Sequence, residues 1–247
     1  FYYGFEALET FAFTPNHTTS TKGVQVRDAI DLKRLMITVV LAMVPALLFG
    51  MWNVGHQHFI ALGQEVGFWD KFLLGAELVL PIVVVAYASG LGVEFAIANI
   101  RKHPVNEGFL VTGMLIPLIM PVTIPLWQVA IATIFAVIIG KEVFGGTGMN
   151  VLNIALLARA FLYFAYPTDI SGDIWTYLGP ATAEVQTVDG YSGATALAIA
   201  AETVINDGTQ PVLEIYDQAW YSGLFTFENM FFGAIPGSIG ETSTFWI

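Results

Sequence analysis

FLLGAELVLPIVVVAYASGLGVEFAIANI, residues 72–100, sets the fold class. A helix needs roughly 20 mostly apolar residues to cross about 30 Å of hydrocarbon, and this stretch has length to spare. It carries two carboxylates, Glu77 and Glu94, and closes on Arg101, Lys102 and His103. A second run, LMITVVLAMVPALLFGMW at 35–52, follows the cations Lys22, Arg27, Lys33 and Arg34 and is read as an earlier span. Between the two lies a polar segment with His56, His58, Glu65 and Asp70, read as an extended loop with both histidines on one side.

The composition agrees. Of 247 residues 55% are apolar and 12% charged, with a mean hydropathy of +0.67, which places the chain in the membrane class. The absence of cysteine excludes disulfides, thiolate metal sites and cysteine nucleophiles, so any redox chemistry has to come from a cofactor or be performed elsewhere. A net charge of −11 argues against nucleic acid as a partner. No third ligand joins the histidines, and no metal site is expected. The chain reads as a fragment of a longer protein, since it opens at Phe1 and stops inside the apolar STFWI.

Residues 108–140 are free of charge and broken by Pro117, Pro121 and Pro125 into halves too short to cross alone. They are expected to form a hairpin of discontinuous helices. A further helix is expected over 151–166, with Arg159 inside it, pairing a flavin or a buried carboxylate. Loops rich in Lys and Arg stay in the cytoplasm, which puts residues 1–34, the 101–103 cluster and Lys141 inside. Residues 35–166 are then the membrane part, and 167–229 form an extracytoplasmic loop. The 167–228 stretch holds nine acidic residues and no Lys or Arg. Residues 230–247 read as the start of another transmembrane helix, with Gly237, Gly240, Ser238, Thr242 and Ser243 offering caps.

DGYSGATALA, residues 189–198, has the glycines and hydroxyls of a phosphate loop running into a helix, but the last cation of the chain is Arg159. Three readings are open. Reversible phosphate binding lacks a balancing cation and is repelled by Asp189 and Glu184. A plain cap uses Ser192 or Thr195 to start the Ala/Leu helix. In the third, the phosphate is covalent and Thr195 supplies the ester oxygen.

The motif resembles the flavin-attachment sequence of the B-type membrane subunit in the sodium-translocating NADH:quinone oxidoreductases (NQR). VRDAIDLKR (26–34), IRKHPVNEGFLVT (100–112), IPLWQ (124–128), GKEVFGGTGMNVLN (140–153), RAFLYFAYP (159–167), ISGD (170–173) and IPGSIGETST (235–244) look like that protein in the same order. The resemblance implies an all-α polytopic membrane protein, the N-terminal part of a urea-transporter-like helical bundle of about ten spans in the bacterial inner membrane. Thr195 would carry FMN through a phosphoester, with Asp189, Gly190, Ser192, Gly193 and Ala194 completing the motif that a flavin transferase reads outside the cytoplasm. Electrons would pass from NADH-derived partner subunits toward quinone, coupled to Na+ translocation. The sequence names no side-chain nucleophile or general base.

The resemblance extends to other residues. Asn150 and Asn153, three apart on one helical face, are candidate ligands of a non-covalent riboflavin; as plain structure, Asn150 caps the helix and Asn153 bonds to a neighbour. The chain has Ile154 where the family pattern has Pro. Glu94 matches a carboxylate implicated in sodium uptake, or simply faces cytoplasmic water. The stretch 87–95, YASGLGVEF, helps form a quinone pocket or packs closely on a neighbour through Ser89, Gly90 and Gly92. The D-type membrane protein of the Rnf electron-transport complex shares the fold and flavin motif and is one alternative; a non-redox urea-transporter-like channel is another.

Overall fold

The computed structural model describes residues 5, 22–23, 32–102, 108–179, 191–207 and 223–246. Among them the chain is helical, without strands. Asp189 and Gly190 lie outside the described residues.

Among the described residues, helices α1 (Leu32–Ala61) and α2 (Phe68–Arg101) are the two elements long and apolar enough to cross a membrane, by length and composition. At 1.5 Å per residue, α2 is about 51 Å long, more than the hydrocarbon layer, so its ends reach the interfaces or the helix tilts. Helix α1 runs through the segment expected to be a loop, because His56, Gln57 and His58 continue its turns. Two residues apart on a helix, the histidines point to different sides. His56 meets Lys71 at 3.2 Å, and His58 donates to the Tyr177 carbonyl at 2.6 Å.

The two long helices are antiparallel and nearly touch. A Cβ on Gly55 would strike the Lys71 backbone, and one on Gly75 the Met51 backbone. Small residues permit this approach, which replaces the missing hydrophobic drive between helices in lipid. Helix α2 buries one stripe: Gly75, Val79, Ile82, Ala86, Gly90, Glu94 and Ala98.

The proline-broken run forms α3 (Phe109–Leu118) and α4 (Leu126–Val137), the latter ending in a π turn, Ile138–Glu142. Gly108 lies against Thr147, and Glu142 pairs with Arg101, so both ends of the run sit beside the C-terminus of α2. Its middle reaches the opposite end, where Thr123 Oγ1 donates to Ile174 O. Helix α5 (Ile154–Ala165) lies antiparallel to α4, with Phe135 stacked on Phe161 and Trp127 edge-on to Tyr166.

Two short helices follow, α6 (Ala196–Asp207) and α7 (Phe227–Phe232). The described residues 233–246 contain no helix, contrary to the expected span start over 230–247. They thread into the bundle instead. Ile239 N–H donates to Met120 O (3.2 Å) and Gly240 N–H to Leu118 O (2.8 Å), because the prolines of 117–125 leave those carbonyls without helical donors. With no helix there to cap, Ser243 Oγ closes a turn, accepting from Trp246 N–H.

Candidate functional site

The hydroxyl-rich motif is built at the end of the bundle where His58, Thr123 and Tyr177 meet. Thr195 is the N-cap of α6: its Oγ1 accepts from Ala198 N–H (3.2 Å) and its carbonyl from Ile199 N–H (3.1 Å). Ser192 Oγ accepts from Ala194 N–H, so it shapes the turn before the cap and leaves the helix to Thr195. Gly193 is buried, and a Cβ there would strike the Asp173 carbonyl of the ISGD segment. Tyr191 donates to the buried Thr176 Oγ1 at 2.7 Å. Burial pushes the Tyr191 phenol up to about 12. The loop before Thr195 is thus fixed to residues 173–176, while Thr195 itself remains partly exposed.

Asn150 and Asn153 do not share a helical face. Helix α5 begins at Ile154, and Asn153 is its N-cap, accepting from Leu156 N–H at 3.2 Å. Asn150 lies in the preceding loop, where its Oδ1 accepts from Gly148 N–H and its Nδ2 donates to Leu152 O. Both the assignment of the cap to Asn150 and the interhelical bond of Asn153 are therefore corrected. Ile154 occupies N1, where Pro is also favoured, so the departure from the family pattern leaves the same helix start.

Glu94 does not face water. It is 3% exposed, sits on the buried stripe of α2 and pairs with Lys141, itself 1% exposed. Its second oxygen has no partner among the described residues. The π turn adds a residue to the end of α4 and brings Lys141 inward, while Glu142 meets Arg101 at 3.4 Å. Arg159 bonds Ile119 O (2.8 Å) and the half-exposed Glu241 (3.3 Å), with Trp175 beneath it, so its partner is no buried carboxylate. Of Ser89, Gly90 and Gly92, Gly90 alone packs closely on a neighbour, the Phe109 ring; Gly92 faces open space and Ser89 bonds within its own helix. Among the described residues no cluster of His, Cys, Asp and Glu suits a metal.

Residues 19–247 match the NQR2, RnfD, RnfE family. The chain belongs to that family. It is 45% identical to the B-type subunit of the Na(+)-translocating NADH-quinone reductase of Ectopseudomonas mendocina (strain ymp), over 97% of this chain and 60% of the relative. Proteins of the same name from Stutzerimonas stutzeri (strain A1501) and Chromohalobacter salexigens are 46% and 45% identical, over 97% and 99% of this chain. The chain spans about three-fifths of the length of these relatives. Family membership and the apolar helices are consistent with a multi-pass membrane protein. In this family member, Lys141 and Thr176 are the residues of these sites that the sequence does not single out. The first reads as a loop cation, and the second carries no motif.

Proposed function

We propose that the chain is the flavin-bearing membrane component of a sodium-translocating NADH:quinone oxidoreductase, with FMN esterified to Thr195. The single observation that carries this reading is the cap geometry. Thr195 Oγ1 takes the Ala198 N–H through a lone pair, which leaves the hydroxyl valence for an ester without breaking the cap. A phosphoester there lies at a helix N-terminus, where negative charge is favoured, within a stretch of sequence that carries no Lys or Arg. Covalent attachment makes a retaining cation unnecessary.

The chain's own residues bind and orient. Tyr191 and Thr176 hold the loop, and Gly193 admits the Asp173 carbonyl that a side chain would displace. When bound, FMN supplies the electron-transfer chemistry that no side chain of this cysteine-free chain provides. Among the described residues Asn153 is engaged only through Oδ1, by the cap, which leaves its Nδ2 protons for the polar edge of a riboflavin. Asn150 is committed to its loop at both ends of its carboxamide.

In this reading electrons from NADH-oxidising partner subunits reach quinone, and Glu94 belongs to the sodium path. A flavin transferase matures the chain outside the cytoplasm of a bacterial inner membrane. The charge pattern supports that sidedness, since Arg101, Lys102 and Lys141 gather at one end and the cation-free loop at the other. The helices here then form part of a urea-transporter-like bundle of about ten spans.

The test is flavin fluorescence of the chain on a denaturing gel after co-expression with a flavin transferase. A fluorescent band that Thr195→Ala abolishes is the expected result. A chain that stays dark beside an active transferase removes the reading.

A further inference from the structure

The pairing of Lys141 with Glu94 is incomplete on both sides. Lys141 is 1% exposed and Glu94 3%. Among the described residues the ammonium makes one hydrogen bond, to Glu94 Oε1, of the three it can donate, and Glu94 Oε2 has no partner. The cost of taking an ion pair out of water is offset only where further hydrogen bonds satisfy the remaining protons and lone pairs. A buried acceptor left unmade is rare enough to require a reason. The pair is poorly completed as a permanent brace, and it suits an occupant that leaves.

Charge balance says what replaces it. Glu94, Lys141, Glu142 and Arg101 meet at one end of the bundle, and their charges sum to zero. Glu142 is 5% exposed and held at 3.4 Å by Arg101, whose side chain is 42% exposed, so this second pair reaches the surface. A cation that joined Glu94 while Lys141 stayed would leave one buried positive charge in excess, which apolar surroundings penalise. An entering cation therefore displaces the ammonium. Lys141 is able to leave: its four-carbon stem starts from the π turn, one residue from Glu142, and lets the ammonium follow that pair to the interface. A divalent ion in its place would restore the excess charge, because Glu142 is already engaged, and a carboxylate suits a hard ion. We propose that Lys141 is a tethered competitor for a monovalent cation, sodium, at Glu94. Sodium takes the carboxylate as the ammonium swings out toward Glu142 and the surface, and the ammonium returns when sodium leaves, so the buried carboxylate has a counter-charge in both states. The proposal rests on the reading above that Glu94 belongs to the sodium path.

The test uses the whole purified complex and two readouts: the sodium concentration for half-maximal quinone reduction, and the difference in thermal midpoint between NaCl and KCl at equal ionic strength. A competitor that holds the carboxylate most of the time weakens apparent affinity by the fraction left free. Lys141→Met is therefore expected to need at least about tenfold less sodium and to widen the NaCl–KCl difference, because sodium alone then neutralises Glu94. Lys141→Arg, whose fork takes both carboxylate oxygens, is expected to need more sodium than wild type. A purely structural lysine predicts the opposite for Lys141→Met, an unchanged, raised or lost sodium requirement, and any of these overturns the exchange alone. If the Met complex does not assemble, an unaltered requirement in Lys141→Arg does so. A Glu94→Gln complex with the wild-type requirement removes Glu94 from the sodium path, and a wild-type complex indifferent to sodium removes the sodium-coupled function; the exchange falls with either.

Discussion

Lys141 holds its ammonium against the Glu94 carboxylate inside the bundle, one from the π turn that ends α4 and the other from the buried stripe of α2. Taking two charges out of water costs several kcal/mol each, and their attraction offsets this only while both are present. The pair therefore ties the position of the π turn to the charge state of Glu94.

Lys141→Met is expected to destabilise the chain by roughly 3–5 kcal/mol, because it leaves Glu94 buried and unpaired. The double variant Lys141→Met/Glu94→Gln recovers most of that loss, since neither charge remains. Thermal unfolding of the single and double variants in one detergent checks this; equal losses in both would show that the two side chains do not act as a pair.

Gly90 and Gly92 differ in what surrounds them. A Cβ on Gly90 would meet the Phe109 ring, and one on Gly92 would meet nothing within 4 Å. Gly90→Ala is expected to cost about 1–3 kcal/mol by overpacking, and Phe109→Leu on the same chain to restore part of it. Gly92→Ala stays within about 0.5 kcal/mol of wild type. Midpoints of the four proteins decide the matter.

Cap and ester anchor can be separated at Thr195. Thr195→Asn keeps a capping oxygen but has no hydroxyl, so α6 retains the cap while flavin fluorescence on a gel is lost. Thr195→Ala loses both, with about 1 kcal/mol of cap stabilisation. A fluorescent Asn variant would place the flavin on another residue.

The Tyr191 phenol has its pKa raised by burial from 10 to about 12. The undocked loop ionises first, so docking stability is fully present below pH 10 and declines as pH rises from 10 toward 12. Subtilisin cleavage around residues 191–207 is expected to speed up between about pH 10 and about pH 12. In Tyr191→Phe that pH dependence is flattened, after allowing for the enzyme's own profile. An identical rise in both proteins would mean that the phenol does not govern docking.

The two long helices are legible in the sequence because an apolar run of more than 20 residues has few other fates, and the prolines at 117, 121 and 125 mark the break correctly. The histidine segment misleads, since its polarity suggests a loop although nothing between Trp52 and Ala61 stops a helix. Thr195 is legible through local chemistry, a hydroxyl three residues before a helical N–H. The partners of that loop are not. Thr176 meets Tyr191, and Asp173 meets Gly193, through contacts that no local periodicity encodes. Lys141 is visible as a charge beside Gly140, but only the extra residue of the π turn aims it inward toward Glu94.

The bonds from Ile239 and Gly240 to Met120 and Leu118 join segments roughly 120 residues apart. At ribosomal rates of about 5–20 residues per second, roughly 6–24 s separate the emergence of the two. Throughout that interval the proline-broken run sits in the membrane with acceptor carbonyls that its own chain has not yet supplied with donors. Residues 117–125 are thus a debt carried through translation, and the nascent chain depends on water, the insertion machinery or a holdase until its later segment arrives.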